Sequence, residues 1–388
     1  MAQAHPAAEP GYSLRELLAY FGRLGSLGFG GPVALVGYMQ RDLVEQRRWI
    51  PEKDFKQGLA LAQLAPGPLA AQLAIYLGWL RHGVLGATLV AIAFVLPSFL
   101  MVLGLSALYV AYGGLPWMRG AFYGIGAAVI AVIARSAYKL ARSTIGRDPL
   151  YGVLFAASAG VTAWTESELV WLFVLCGVVA YGLRAPRRAS VLSAAALPLA
   201  WLVTGQSGPA APETLWRIGW YFAEAGAFVF GSGLAIVPFL HGGVVGEFHW
   251  LSERQFLDAV AVAMITPGPV VITVAFIGYL VAGPAGATVA ALGVFLPCYL
   301  LVVIPARYFQ RAVHDPRVKA FVDGVTIAAA GAIAGAAFVL GRRAVYDGPT
   351  LTIAVVTLLL ITRLKARYEP LVILGAGLAG FAWTSGAP

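Results

Sequence analysis

Phe29-Gly30-Gly31-Pro32, followed by Trp49-Ile50, Phe55 and Ala65-Pro66-Gly67-Pro68, is written a second time in this chain as Phe230-Gly231-Ser232-Gly233, Trp250-Leu251, Phe256 and Thr266-Pro267-Gly268-Pro269. A constant offset of 201 residues relates the two copies with no gap; one residue then drops out, and Leu96-Pro97 matches Leu296-Pro297 at an offset of 200. Pro removes a backbone N–H and clashes with the preceding turn, and Gly frees the backbone to bend. Neither Pro-Gly-Pro can sit inside an ordinary helix. Duplicated apolar halves with Gly/Pro breaks at matching positions point to a transporter whose binding site lies where the repeats meet.

Composition places those breaks in a bilayer. The AVILMFWYC residues make up 60% of the 388, the DEKR residues only 12%, and mean hydropathy is +0.79. Soluble domains run near 25% charged. The net charge of +9 would suit nucleic acid, but the basic residues sit in short loops between apolar runs, which is a topology signal of membrane proteins. No nucleic-acid partner is expected. Cys176 and Cys298 lie inside apolar runs and form neither a disulfide framework nor a metal spacing, so no cofactor or metal is expected. The first residues lack the basic start and apolar run of a cleavable signal.

Apolar segments fall at 17–40, 57–80, 84–111, 117–140, 149–165, 168–183 and 189–204, then at 215–241, 258–281, 284–306, 319–341, 349–362 and 369–384. The expectation is an all-α polytopic membrane protein: a first repeat at 15–183, a linker with a bridging crossing at 184–214, and a second repeat at 215–384. One extra crossing would invert the second copy. Loop charge agrees. Arg41, Arg47, Arg48, Lys53 and Lys56 fill the loop after the first Gly/Pro break, whereas its counterpart, 242–255, holds only Arg254. Lys/Arg bias sets orientation, so 41–56 is expected in the cytoplasm and 242–255 outside. The bias over all loops is stronger if 17–40 and 57–80 are re-entrant than if they cross.

Broken backbone at membrane depth is tolerated only inside protein or along a wet cavity. A helix starting after a break aims unpaired N–H groups and roughly +0.5 of dipole charge at the gap. Four such starts would approach about +2, matched to a dianion. Gly30, Gly31, Pro32, Pro66, Gly67, Pro68, Gly231, Ser232, Gly233, Thr266, Pro267, Gly268 and Pro269 are therefore the candidate binding residues. Substituting Gly67 or Gly268 is expected to stop transport before it lowers protein level.

These motifs carry a resemblance. FGGP with Arg47-Arg48-Trp49, QLAPGP and Tyr76-Leu77-Gly78 in the first half resemble the chromate ion transporter family of bacterial inner membranes. In the second half, AGAFVFGSGLAIVPFL (225–240), QFLDAVAVAMITPGPVVIT (255–273), FLPCY (295–299) and KAFVDGVTIAAAGAIAG (319–335) resemble it more closely. The resemblance spans about 15–384 and implies a two-domain chromate efflux permease with oppositely inserted halves. Leu69-Ala70 and Leu35 stand where the family has a polar pair and a His, which shifts weight onto backbone donors.

Ionisable residues in the bilayer are functional candidates by default. Arg23 is expected to attract the anion, with Glu224, its repeat-equivalent, modulating it or taking up a proton; alternatively the two pair with each other, or either snorkels to an interface. Gln63 and Gln72 flank the first Pro-Gly-Pro as hydrogen-bond donors to an oxyanion or as packing. Arg135 reads as snorkelling, Asp258 and Asp323 as helix-start residues, and the five histidines as loop residues. Gly375 to Gly380 fits G-x-G-x-x-G but follows no strand, and with Gly331 and Gly335 it reads as a helix-packing face. No P-loop or G-x-S-x-G is present, so an enzyme is not expected. The functional expectation is chromate efflux through the inner membrane; a sulfate or other oxyanion importer, or an anion channel, is the alternative on the same scaffold. The lipid bilayer is the expected surrounding, and a homodimer is left open.

Overall fold

A computed structural model describes residues 12–29, 31–112, 116–145, 148–165, 170–184, 212–228, 236–307, 316–364 and 368–386. The expected bridging segment 189–204 lies outside them. Among the described residues the chain is helical throughout, without strands.

The first repeat begins with α1 (Leu14–Leu27). Ser13 caps it in a reciprocal box with Glu16, whose carboxyl those hydrogen bonds hold below its usual range. Then come α2 (Gly31–Met39) and a π-helical turn, Gln40–Gln46. Next are α3 (Glu52–Leu64) and α4 (Leu69–Tyr112), which is two helices joined at His82 and Gly83, the latter at φ +56°. The short arm (69–81) turns back on the long arm (84–112), so that Gly78 meets the backbone of Gly86. The repeat closes with α5 (Pro116–Ile145), α6 (Pro149–Thr165) and α7 (Val170–Arg184).

The second repeat copies this down to backbone detail. It runs α8 (Pro212–Phe228), α9 (Ile236–His241), a π turn Gly242–Glu247 and α10 (Glu253–Ile265). A 3-10 turn, Val270–Ile272, leads into α11 (Thr273–Val303), broken at Ala282 and Gly283 into arms 273–281 and 284–303. Then follow α12 (Pro316–Ala344), α13 (Gly348–Arg363) and α14 (Glu369–Gly386). Arg48 at φ +53° has its match in His249 at φ +51°. Trp49 and Trp250 donate equivalently to the carbonyls of Leu43 and Val244.

The one-residue deletion has a physical reading. A 3-10 helix rises about 2.0 Å per residue against 1.5 Å for an α-helix. Three 3-10 residues therefore climb as far as four α residues. The path from tip to turn is about 20 Å in both repeats, with thirteen residues in 69–81 and twelve in 270–281.

Both early segments of the first repeat are re-entrant. Tyr12, before α1, stacks on Trp49 at 5.0 Å, and Arg81 donates to the Tyr12 carbonyl, so the segment's two ends and the α4 turn share one level. Gly58 of α3 lies against Tyr76 of the returning short arm. Only the long arm continues across, about 43 Å for 84–112. Its far end packs with the other repeat: Val102 and Tyr109 join the core built from Phe222, Phe256 and Phe276. Conversely Val302, at the end of the α11 long arm, and Ala306, in the 3-10 turn just beyond it, pack among Leu17, Phe21 and Phe55. The repeats therefore approach the middle from opposite ends.

The remaining helices are exchanged. α6 and α7 pack on α12, and α13 and α14 pack on α5, each pair leaving its own repeat for the other. Small residues let the backbones close. A Cβ at Gly124 would strike the Ala376 carbonyl, one at Gly324 the Cys176 carbonyl at 2.6 Å, and one at Gly331 the Phe155 carbonyl. A Cβ added at Gly380 would come within 2.6 Å of the Gly120 carbonyl, so the packing-face reading holds there and at Gly331. Exposed Leu85, Ile92, Leu96 and Leu100 form a helical stripe on the α4 long arm, matched by Leu292, Leu296 and Leu300 on α11. Such an uncovered apolar face requires lipid. Among the described residues, the helices long and apolar enough to cross a membrane lie in Leu69–Tyr112, Gly120–Lys139, Val270–Val303 and Asp323–Arg342.

Gly124→Ala is expected to destabilise the detergent-solubilised protein by about 1–3 kcal/mol, since overpacking displaces α14. Gly126→Ala, where an added Cβ meets nothing within 4 Å, should be neutral or stabilising by up to about 1 kcal/mol. Equal melting temperatures for the two would contradict this helix contact.

Candidate functional site: two crossed Pro-Gly-Pro tips

Each re-entrant tip reaches the long arm of the opposite repeat beside its proline. Gly67, at φ +140°, sits so that a Cβ would lie 3.0 Å from Cys298 Sγ, next to Pro297. Gly268, at φ +100°, sits where a Cβ would strike Ser98 Oγ, next to Pro97. Ser98 in turn donates to the Gly25 carbonyl at 3.1 Å, and Cys298 stands over the equivalent Gly226 carbonyl at 3.5 Å. Gly25 and Gly226 themselves press on the carbonyls of Phe94 and Val294. The site is a near-symmetric crossing of the two tips with the long arms of the opposite repeats.

The electrostatics come from helix ends. α1 and α3 end at these breaks, so half-charges of negative sign accompany the positive ones; the expected sum of about +2 counted only the starts. Protein donors cover several of the carbonyls there. The Gly28 carbonyl accepts the Gly268 N–H at 2.9 Å, the Gly25 carbonyl accepts Ser98, and the Pro66 carbonyl accepts Gln72 Nε2 at 2.6 Å. By contrast, the N–H groups of Leu69, Ala70 and Ala71, and of Val270 and Val271, have no acceptor among the described residues. In the first repeat these negative ends are partly neutralised by protein donors, while positive ends in both repeats are left open, which favours an anion.

Several expectations change. The Gly268 N–H is already bonded, and the left-handed φ and the Ser98 contact demand glycine for packing, so protein level and transport fall together on substitution there. Gln63 is exposed near the end of α3, whereas Gln72 is fully buried and braces the tip. Thr266 turns its hydroxyl back to the Val262 carbonyl. Arg23 is exposed on α1, Glu224 is half-buried on α8, and they form no ion pair. The 201 offset relates equivalent positions in two opposed repeats, and equivalence is not contact. Gly31 and Pro32 are half-buried at the start of α2; Pro66, Gly67, Pro68, Pro267 and Pro269 all lie in the tips. Gly30, Gly231, Ser232 and Gly233 lie outside the described residues.

Arg135 does not snorkel: it pairs with Glu369 of α14 at 2.6 Å, across the exchanged helices. His241 is buried at the end of α9 and meets Glu253 at 2.8 Å, so it is no loop residue. Asp258 is not at a helix start but in the middle of α10, buried and bonded to Tyr109. Ser98 and Cys298 were missed as site residues, although their Leu-Pro neighbours repeat at an offset of 200.

A bilayer-spanning helical scaffold of two interlocked repeats, meeting in broken helices, defines a membrane transporter rather than an enzyme. The chain belongs to the chromate transporter family, whose model matches residues 15–181 and again 216–381. It is 58% identical over 96% of its length to a chromate transport protein of Cupriavidus metallidurans, covering 93% of that protein. It is 54% identical over 97% of its length to a probable chromate transport protein of Synechococcus elongatus, covering 97% of it. A chromate transport protein of Pseudomonas aeruginosa is 32% identical over 97% of the chain, with 94% of that protein covered. No solved structure matches.

Gln72→Leu is expected to lower transport about tenfold at unchanged membrane level, the ~1.4 kcal/mol of one buried hydrogen bond. Gln63→Leu should leave transport within about twofold, as surface changes usually do. Equal effects in a vesicle flux assay, normalised to immunoblotted protein, would remove Gln72 from the tip's support.

Proposed function

We propose that this protein exports chromate across the bacterial inner membrane by alternating access around the crossed tips, and so confers chromate resistance. The observation that carries the reading is the set of unbonded first-turn N–H groups beside two mid-depth tips whose nearby carbonyls are bonded to protein. The names of the relatives supply the oxyanion. Gln72 and the N–H groups of Leu69 to Ala71 are the first-repeat elements expected nearest the anion, and Val270 and Val271 those of the second.

Energetics favour the outward direction. An interior-negative potential is worth about 2.3 kcal/mol per charge per 100 mV. An outgoing dianion releases about 4.6 kcal/mol, enough for a gradient above roughly a thousandfold. Sulfate has the same charge and shape class, and inward movement of either ion would oppose the field without coupling. The orientation follows from loop charge: the 41–56 loop in the cytoplasm, the 242–255 loop outside.

Two measurements test this. Everted vesicles containing the protein should accumulate chromate and lose the accumulation with an uncoupler; retained sulfate uptake without chromate uptake would favour the sulfate reading. Cysteine labelling should reach 41–56 only from the cytoplasm and 242–255 only from outside, and labelling of both from one side would contradict the proposed orientation.

A further inference from the structure

Asp258 stands out among the described residues as a carboxylate buried at the junction of the repeats. It is 4% exposed, five residues inside α10. Its Oδ2 accepts the hydroxyl of Tyr109 at 2.7 Å, from the far end of the α4 long arm. Phe122 of α5 and Phe276 of α11 pack edge-on against the Tyr109 ring at 5.7 and 5.2 Å. Among the described residues the charged or titratable groups acting on Asp258 are Tyr109, from α4, and Arg254, one turn back on its own helix. The other stretches packed on α10, from α5, α11, α14 and the turns beside it, bring no further such group to bear on it.

The repeat symmetry sharpens the point. Most tip and turn features occur twice, but this pair does not recur among the described residues: at the sequence offsets of 201 and 200 the counterparts of Asp258 and Tyr109 are Gln57 and Phe309, the latter outside the described residues. A packing requirement shared by both repeats would not need a carboxylate in one alone. At the other end of the long arm the contact between repeats is neutral, Thr88 with Tyr299 at 2.7 Å. Of these two contacts at opposite ends of one helix, only the one toward the second repeat's face can change charge.

We propose that Asp258 carries a proton inward in exchange for the outgoing oxyanion, with Tyr109 as the hydroxyl that holds it closed when ionised. The inference rests on the export reading above. When ionised, the Asp258 carboxylate accepts a charge-assisted hydrogen bond from Tyr109, about twice as strong as a neutral one. A proton arriving from water on the second repeat's face binds an Asp258 oxygen; Tyr109 keeps its own proton, and the contact weakens to a neutral one. The α4 long arm is then free to part from α10, and the proton leaves to water on the opposite face after the change of state. Proton entry and dianion exit both move charge down an interior-negative potential.

The test uses the full-length protein in proteoliposomes, comparing wild type, Asp258→Asn, Asp258→Glu and Tyr109→Phe. Two fluxes are read: net chromate movement driven by an imposed pH gradient, and exchange of radiolabelled for unlabelled chromate with no gradient. Asp258→Asn should lose the gradient response while keeping exchange, because exchange needs no net proton transfer. Asp258→Glu should retain both. Tyr109→Phe should shift the pH profile of net flux upward, since losing a donor to the charged carboxylate favours its protonated form. A full gradient response in Asp258→Asn overturns the proposal. So does loss of exchange together with net flux in Asp258→Asn at normal protein yield, which would mark a structural pair. If Asp258→Asn does not fold, an unshifted profile in Tyr109→Phe overturns it equally. Absence of exchange in wild type would instead overturn the chromate reading, and is told apart by that control.

Discussion

Everything in this molecule answers to the cost of an unpaired backbone amide or carbonyl in hydrocarbon, several kcal/mol for each group. Helix breaks within the membrane multiply that cost. The fold meets it by pushing each Pro-Gly-Pro tip against the opposite repeat, where Gly268 donates across to the Gly28 carbonyl, while Gln72 and Ser98 cover the Pro66 and Gly25 carbonyls within the first repeat. Inversion is thus more than a matter of topology. A tip can find Ser98 or Cys298 at its own depth only because the partner repeat comes from the other side. The donors left over, at the starts of α4 and of the turn preceding α11, are those a dehydrating anion would need.

Much of this was legible beforehand. The 201-residue offset foretold the doubled architecture, and Pro66-Gly67-Pro68 with Pro267-Gly268-Pro269 foretold the two tips, because Pro and Gly act on the backbone locally. Loop charge foretold re-entrant segments, and the stacking of Tyr12 on Trp49 bears this out. What stayed hidden was which groups touch. Arg23 and Glu224 occupy equivalent positions, but equivalence in opposed repeats says nothing of contact. Arg135 and Glu369 lie far apart in sequence, and no periodicity connects them. Asp258 read as a helix-start residue because a single sequence does not show that α4 runs far enough to bring Tyr109 over it. The deletion after the second tip read as a mere gap until the 3-10 turn gave it a length.

The near-symmetry carries its own information where it fails. Ser98 and Cys298 hold corresponding carbonyls with a strong and a weak donor. Gln72 braces the first tip, while on the second Thr273 bonds to the carbonyl of Val270 on its own turn. A transporter must pass between two states that an exact internal two-fold would make equal in energy. Unequal donors at matched positions give those states different energies, and so set which way the empty protein rests.

The exchange of the last helix pairs bears on how such a chain is made. α6 and α7 find their main packing partner in α12, which leaves the ribosome about 130 residues after α7 is complete. At roughly 5–20 residues per second that interval is on the order of ten seconds. Through it the first half lies in the membrane with the small-residue surfaces that will receive α12 covered by lipid alone. The nascent protein is therefore a client for whatever holds unpaired helices during insertion, and a chain arrested before α12 presents a surface fitted to another copy's α12.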